Sequence, residues 1–434
     1  MIAEPRGGAR SPWRHDFFTY TCYNGHVERL AGALLETVHF RAAKPRIAVL
    51  LGPRGAGKTF LALEQQKRRG SQGSAAFWDD WEFRKKALSS PYSFLDQHQA
   101  LLFKKVLALI DEFAKAPHCW DHITDLYNAQ SEKVDFIATS SYLANLSLHN
   151  KRFIKSKCSR YRIDPISLSE ALKVGFIPSK DKCDKIINSI IASPPETGRR
   201  GANLLELLLK FGGFPEPFLS QSDKKHEIWL KNHKETLIRD DLREMTRIQQ
   251  LPGVEALMDL IIPGALLSFN TMRLNLGVNG ATARLWLGHL ERLHYCFRVL
   301  PYAGKLPRAL RHACKLYLND WSGVVDPALR FENFVACSLL RWCHYAEDWC
   351  GERLELQFIR DKEKRSAPFL LTLNGRPRLL VGTCLGEAGE VRHLRYFSER
   401  LNVPVVLAAL GRKAVGEVGG VRVLPAASFL AAIP

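Results

Sequence analysis

Three kinds of residue in this chain could do chemistry together. The first is the run Gly52-Pro53-Arg54-Gly55-Ala56-Gly57-Lys58-Thr59, followed by Phe60. Gly52, Gly55 and Gly57 let the backbone turn tightly and aim successive N–H groups at phosphate oxygens. Lys58 has the reach and charge for β- and γ-phosphates, and the Thr59 hydroxyl is a ligand for Mg²⁺. The second is Asp111-Glu112. Asp111 can hold the metal, and Glu112 can orient or deprotonate a water. The third is the hydroxyl cluster Thr139-Ser140-Ser141. The chemistry expected is binding of a purine nucleoside triphosphate with Mg²⁺, and its hydrolysis.

Such groups need elements that hold them. Arg46-Ile-Ala-Val-Leu-Leu51 is an apolar run without charge in its middle, which predicts a buried parallel strand. A helix starting near Phe60 completes strand, glycine-rich loop and helix, and its N-terminus adds the positive end of its dipole. Val106-Leu-Ala-Leu-Ile110 predicts a second buried strand ending in Asp111, a Walker B arrangement. Asp135–Thr139 predicts a third, ending in hydroxyls. The fold class expected is α/β, a P-loop domain on a parallel sheet with further domains behind it.

The chain has 434 residues, 46% hydrophobic and 24% charged, which is enough for more than one core. No secretory signal is read in residues 1–13, and no apolar run is long enough to span a bilayer, so a cytoplasmic protein without membrane contact is expected. Ten cysteines occur without a CxxC pair, so a zinc ribbon is not signalled and reduced thiols are expected. A net charge of +18 attracts polyanions, and equally serves as a solvated surface.

Residues 193–201 read as a turn-rich linker and Trp229–Ile248 as a charged helix. The stretch 267–282 fits a helix–turn–helix with Gly277 at the turn. The second helix runs Thr282–Leu293 with Leu285, Leu290 and Leu293 inward. Tyr295–Tyr302 and Lys315–Leu318 read as strands, with Lys305, Arg308, Arg311 and His312 between them as in a wing. Asn279, Ala281 and Arg284 are the side chains offered for base reading. Such a module contacts nucleic acid in some proteins and packs only protein in others. The last part, 326–434, alternates helix and strand signals.

Several blocks together resemble the prokaryotic AAA-type ATPases that carry a C-terminal domain of unknown function. They are Trp78-Asp79-Asp80, Leu109-Ile-Asp-Glu112, the stretch from Ala138 to Leu146, Ser159-Arg-Tyr-Arg162 with Asp164–Glu170, Gly212-Gly-Phe-Pro-Glu-Pro217, Asp320-Trp321 and Arg330–Val335. The resemblance implies ATP rather than GTP and assembly into a homo-oligomer. It implies that Thr139 or Ser140 senses the γ-phosphate. It implies that Arg160, just before the fifth strand, is an arginine finger; the alternative is a surface arginine among Lys151, Arg152, Lys155, Lys157 and Arg162. It further implies a restriction-endonuclease-like C-terminal fold. Relatives carry metal carboxylates and a lysine where this chain has Ser366-Ala-Pro-Phe369 and Val381-Gly-Thr383. Only Glu332 survives, so nuclease activity is not expected.

The domains expected are an N-terminal extension (1–40), an AAA-type core (41–192), a linker with a helical segment (193–250), a winged-helix-like module (251–325) and an inactive nuclease-like domain (326–434). The function expected is an ATPase whose catalytic residues are Lys58, Glu112 and Arg160. Its phosphate loop is Gly52–Phe60 with Thr139, its Mg²⁺ ligands are Thr59 and Asp111, and its output reaches nucleic acid or a protein partner. The alternatives are a nucleotide-gated scaffold and an ATP-dependent nuclease.

Overall fold

The computed structural model describes residues 29–40, 46–70, 75–78, 80, 85, 106–115, 119–142, 156–172, 183–246, 250–302, 304, 313–386 and 391–434. Five strands, β1 (Ile47–Leu51), β2 (Ala75–Phe77), β3 (Val106–Asp111), β4 (Val134–Ser140) and β5 (Cys158–Arg162), form one sheet in the order β2-β3-β4-β1-β5. Every pairing in it is parallel. Both faces of β1 are covered, which is why its residues are continuously apolar. Ile47, Val49 and Leu51 pack with Phe113 and Phe136, while Ala48 and Leu50 pack with Leu34, Leu35 and Leu61. Helix Lys58–Arg68 follows β1 and lies against β3 and β4. Residues 30–35, expected in an extension, therefore belong to this core.

Among the described residues a second sheet has nine strands, in the order β13-β14-β12-β11-β10-β9-β7-β8-β6. In chain order these are β6 (Leu266–Leu267), β7 (Cys296–Pro301), β8 (Cys314–Leu318), β9 (Leu354–Arg360), β10 (Ser366–Leu373), β11 (Arg376–Leu385), β12 (Val405–Leu410), β13 (Gly416–Val418) and β14 (Val421–Pro425). Helix Pro327–Tyr345, capped by Asp326, precedes β9. Strands β9, β10 and β11 are antiparallel, helix Arg392–Leu401 follows, and β12 runs parallel to β11.

The strands expected at Tyr295–Tyr302 and Lys315–Leu318 are β7 and β8, which pair antiparallel, and β7 also pairs in parallel with β9, Leu300 opposite Gln357. Strands expected in a separate winged-helix-like module and strands of the C-terminal region therefore share one sheet. The helix–turn–helix is formed by Phe269–Leu276 and Gly280–Arg292, with Gly277 in the left-handed region at φ +63. Leu285 faces outward at 55% exposure, contrary to expectation. In the second helix, Gly280–Arg292, the i, i+3, i+4, i+7 set Ala283, Trp286, Leu287 and Leu290 makes the buried face. Residues 198–201, expected in a loop, begin helix Gly198–Phe211. Helix Cys183–Ala192, expected with the P-loop core, packs through Cys183, Ile187 and Ile190 into the cluster of Trp342 and Val381. Among the described residues no helix is long and apolar enough to cross a membrane.

Candidate functional site

The P-loop bends where β1 meets its helix. A Cβ on Gly52 would stand 2.2 Å from the Ile163 carbonyl oxygen, so only glycine fits there. Gly57 has φ +91 and starts the helix in the left-handed conformation that glycine tolerates. Lys58 is buried, and its Nζ donates to the carbonyls of Gly52 (2.9 Å) and Pro53 (3.0 Å) and to Ser141 Oγ (3.0 Å). Burial pulls its pKa down against the attraction of Glu112 and Asp111.

Strand β4 lies between β1 and β3, so its end is flanked by the P-loop and by Asp111. Thr59 Oγ1 and Thr139 Oγ1 each donate to Asp111 Oδ1 at 2.7 Å. Burial, and next the charge of Glu112, raise Asp111 to about 6; the hydroxyl hydrogen bonds and Lys58 oppose this. A hydroxyl and a buried carboxylate meeting at one point are the hard oxygen donors Mg²⁺ requires, and a cation there would relieve the carboxylate's burial. The expected pair Thr59 and Asp111 thus fits that metal. Ser140 turns away, its Oγ donating to the Tyr142 carbonyl.

Glu112 has φ +50, a left-handed conformation uncommon for its type and often found at functional sites. Its carboxylate accepts from the Ser141 amide (3.0 Å) and from Ser141 Oγ, and lies 3.8 Å from Lys58 Nζ. Ser141 therefore bridges Lys58 and Glu112. Ser141 stands one residue beyond Thr139 and Ser140, the two hydroxyls expected to sense the γ-phosphate.

Arg160 lies inside β5, opposite Val49, rather than before the strand. Its guanidinium donates to Glu347 (3.0 Å) and Asp348 (3.4 Å) of the same chain, and Arg162 joins the same pair. Of the basic residues near it, Lys151, Arg152 and Lys155 lie outside the described residues, as does Asp79.

Two contacts reach the P-loop from distant sequence. Arg29 donates to the Ala56 carbonyl at 2.9 Å, to the Asp164 carbonyl, and to Glu170. Arg54 donates to Asp241 at 2.6 Å. Neither partner has a motif of its own.

The outlying candidates are engaged elsewhere. Asn279 caps its helix by accepting from Thr282 N (2.8 Å), and Arg284 covers the Phe269 ring, so two of the three base-reading candidates serve the module itself. Lys305, Arg308, Arg311 and His312 lie outside the described residues. Glu332 accepts from Tyr317 (2.7 Å) and Lys315 (3.2 Å), fastening the long helix to β8. Phe369 and Val381 face one another in register, both fully buried.

Residues 44–172 match the family model of the AAA domain. Residues 202–332 match that of a Domain of unknown function (DUF8612). The chain thus carries an AAA-type P-loop domain of α/β fold, a nucleotide-binding class. No curated protein matches it. Among solved structures, the replication initiator DnaA bound to AMPPCP and single-stranded DNA is 15% identical, with 63% of this chain and 91% of that chain covered, at a TM-score of 0.28. AMPPCP-bound DnaA from Aquifex aeolicus is 14% identical, covering 59% and 84%, at 0.27. The DNA clamp loader delta protein of Bacillus subtilis is 12% identical, covering 57% and 84%, at 0.25. At such TM-scores these likenesses carry no weight for the reading of this chain.

Proposed function

We propose that the chain binds ATP with Mg²⁺, hydrolyses it, and passes the nucleotide state to its C-terminal half. The observation that carries this reading is the convergence of Thr59 and Thr139 on Asp111 beside the buried Lys58. The backbone of residues 52–59 would cradle the phosphates, and Lys58 would trade its carbonyl partners for phosphate oxygens. Thr59 and Asp111 would hold Mg²⁺, which when bound neutralises charge on the phosphates. Glu112, released by Ser141, would orient the attacking water. Thr139 joins Asp111 to the Glu112 amide, a connection that would report the state of the metal site.

The output side is proposed to contact nucleic acid or a protein partner, and a homo-oligomer in the cytoplasm belongs to the same reading. The net charge of +18 supports a polyanion. Self-engagement of Asn279 and Arg284 favours phosphate contact without base reading. Within this reading, the C-terminal α/β region acts as a platform without nuclease chemistry.

A second reading has one observation in its favour. Lys58 and Glu112 are both satisfied by protein groups, as suits a scaffold that binds nucleotide and scarcely turns it over. Glu112→Gln separates the two. A hydrolase loses turnover by about a hundredfold or more and retains ATP. A scaffold changes in neither respect. Lys58→Ala must abolish binding in both cases, and intact nucleotide affinity in that variant would refute the site.

A further inference from the structure

A segment far along the chain closes over the P-loop. After helix Asp223–Thr236 the chain makes one π turn, Leu237–Asp241, and ends in Leu242–Met245. π turns inside helices are frequent at functional positions. Asp241 projects from this turn. Its side chain is 2% exposed and its Oδ1 takes the 2.6 Å hydrogen bond from Arg54, while its Oδ2 has no partner. Trp229 stands so near that a Cβ on Gly55 would be 2.7 Å from its ring. Lys115, three residues past Glu112, pairs with Glu244 at 3.1 Å.

A buried carboxylate with one unsatisfied oxygen is costly. The cations gathered beneath it, Arg54, Lys115 and Lys58, offset that cost, and Glu112 adds to it by repulsion. Arg54 and Lys58 belong to the P-loop itself, so a terminal phosphate taken up by Lys58 would meet the same cations. Two anions cannot share them in a poorly solvated space without mutual repulsion. The opposite face of the same segment is apolar. Leu237, Ile238 and Leu242 pack with Val254, Met272 and Trp286 in the core of the helix–turn–helix. One short helix therefore touches the P-loop with a carboxylate and the output module with its leucines.

We propose that Asp241 is a built-in competitor for the terminal phosphate, so that a triphosphate displaces it from Arg54 and moves segment 237–245 together with the helix–turn–helix. This rests on the reading that the P-loop takes a nucleoside triphosphate. Displacement costs affinity, and that cost is what transmits the signal: a ligand shifts a conformational equilibrium only by its differential affinity for the two states.

The test uses the full chain with Mg²⁺ and fluorescent analogues of ATP and ADP. Asp241→Asn keeps an acceptor for Arg54 and removes the charge. It should tighten triphosphate binding by about tenfold or more, and diphosphate binding by much less. In that background Arg54→Ala should weaken triphosphate binding, because the guanidinium, no longer paired with a carboxylate, serves phosphate. Independently, hydrogen exchange of amides 237–245 in the unsubstituted chain should quicken on adding ATP and not ADP. Unchanged exchange overturns the proposal even if Asp241→Asn fails to fold. Equal triphosphate affinity with and without Asp241→Asn, abolished by Lys58→Ala in both, overturns it and leaves the P-loop reading standing. Absence of Lys58-dependent binding in both chains sinks the two together.

Discussion

Arg341 Nη1 donates to Glu170 Oε2 across 2.8 Å, joining the long C-terminal helix to the P-loop domain from 171 positions away. Glu170 is buried, and its other oxygen accepts from Arg29 and from the Leu30 amide. Arg341 also donates to the carbonyls of Pro165 and Pro434. Because Arg29 holds the Ala56 carbonyl as well, the P-loop and the chain's last residue belong to one hydrogen-bonded network.

Removing Glu170 leaves two guanidinium groups buried without their shared anion. Glu170→Ala should destabilise the chain by about 3–5 kcal/mol, the usual cost of breaking a buried ion pair from one side. Urea unfolding measures it. A loss below about 1 kcal/mol would mean that the network is solvated in practice.

The same carboxylate sets an acid limit. Burial alone would raise the Glu170 pKa, but Arg29 and Arg341 outweigh it and bring it to about 2. Asp164 is likewise held low against burial, by His344 first and then by Arg341 and Arg162. A carboxyl group with a folded-state pKa below its unfolded value stabilises the fold above the unfolded value. It loses that contribution as pH falls through the folded one. Stability should therefore decline from about pH 4.5 towards pH 2. Glu170→Gln should flatten that decline, as read by thermal melts across the range. An unchanged slope would remove Glu170 from the account.

Ser141 donates to Glu112 and accepts from Lys58. Ser141→Ala should lower ATP turnover by about tenfold while changing nucleotide affinity little, because the phosphate cradle is untouched. Initial rates at saturating ATP beside equilibrium binding separate the two. A parallel loss of affinity would assign Ser141 to ground-state binding instead.

Asp111→Asn should abolish the Mg²⁺ dependence of nucleotide binding, since the amide cannot replace the metal-holding carboxylate. Titrating Mg²⁺ against a fixed ATP analogue reads this directly. Persistence of full Mg²⁺ enhancement would move the metal ligand elsewhere.

Duplex DNA, if it is the polyanion partner, should bind without sequence preference and with a steep salt dependence. Neutralising Lys305, Arg308 and Arg311 should shallow the slope of log affinity against log salt by about 3. Absence of binding at low salt would leave a protein partner as the output.

The phosphate-binding half was legible because its strands are buried on both faces, so β1, β3 and β4 read as unbroken apolar runs ending in functional groups. Asp111 was singled out by its place at a strand end downstream of the glycine-rich loop, since an Asp-Glu pair after an apolar run is common by itself. Arg29 on Ala56 and Asp241 on Arg54 were not legible. Each is a single polar residue whose role depends on a fold that brings distant segments together. Arg160 was placed before the fifth strand by resemblance alone, since Cys158–Arg162 carries a serine and two arginines at the sheet's edge and does not read as an apolar run. Leu285 was grouped with Leu290 as a leucine, although five residues of α-helix set the two about 140° apart round the axis.

The pairing of β7 with β9 leaves no clean seam between residues 251–325 and residues 326–434. Severing it after Val325 would strand Leu300 and Pro301 on one fragment and Gln357 and Phe358 on the other. Each piece would present a raw strand margin able to recruit strangers, and either fragment made alone should clump. Whatever grips the helix–turn–helix therefore tugs on the terminal fold as well, as one hand moves the whole of a stiff fan.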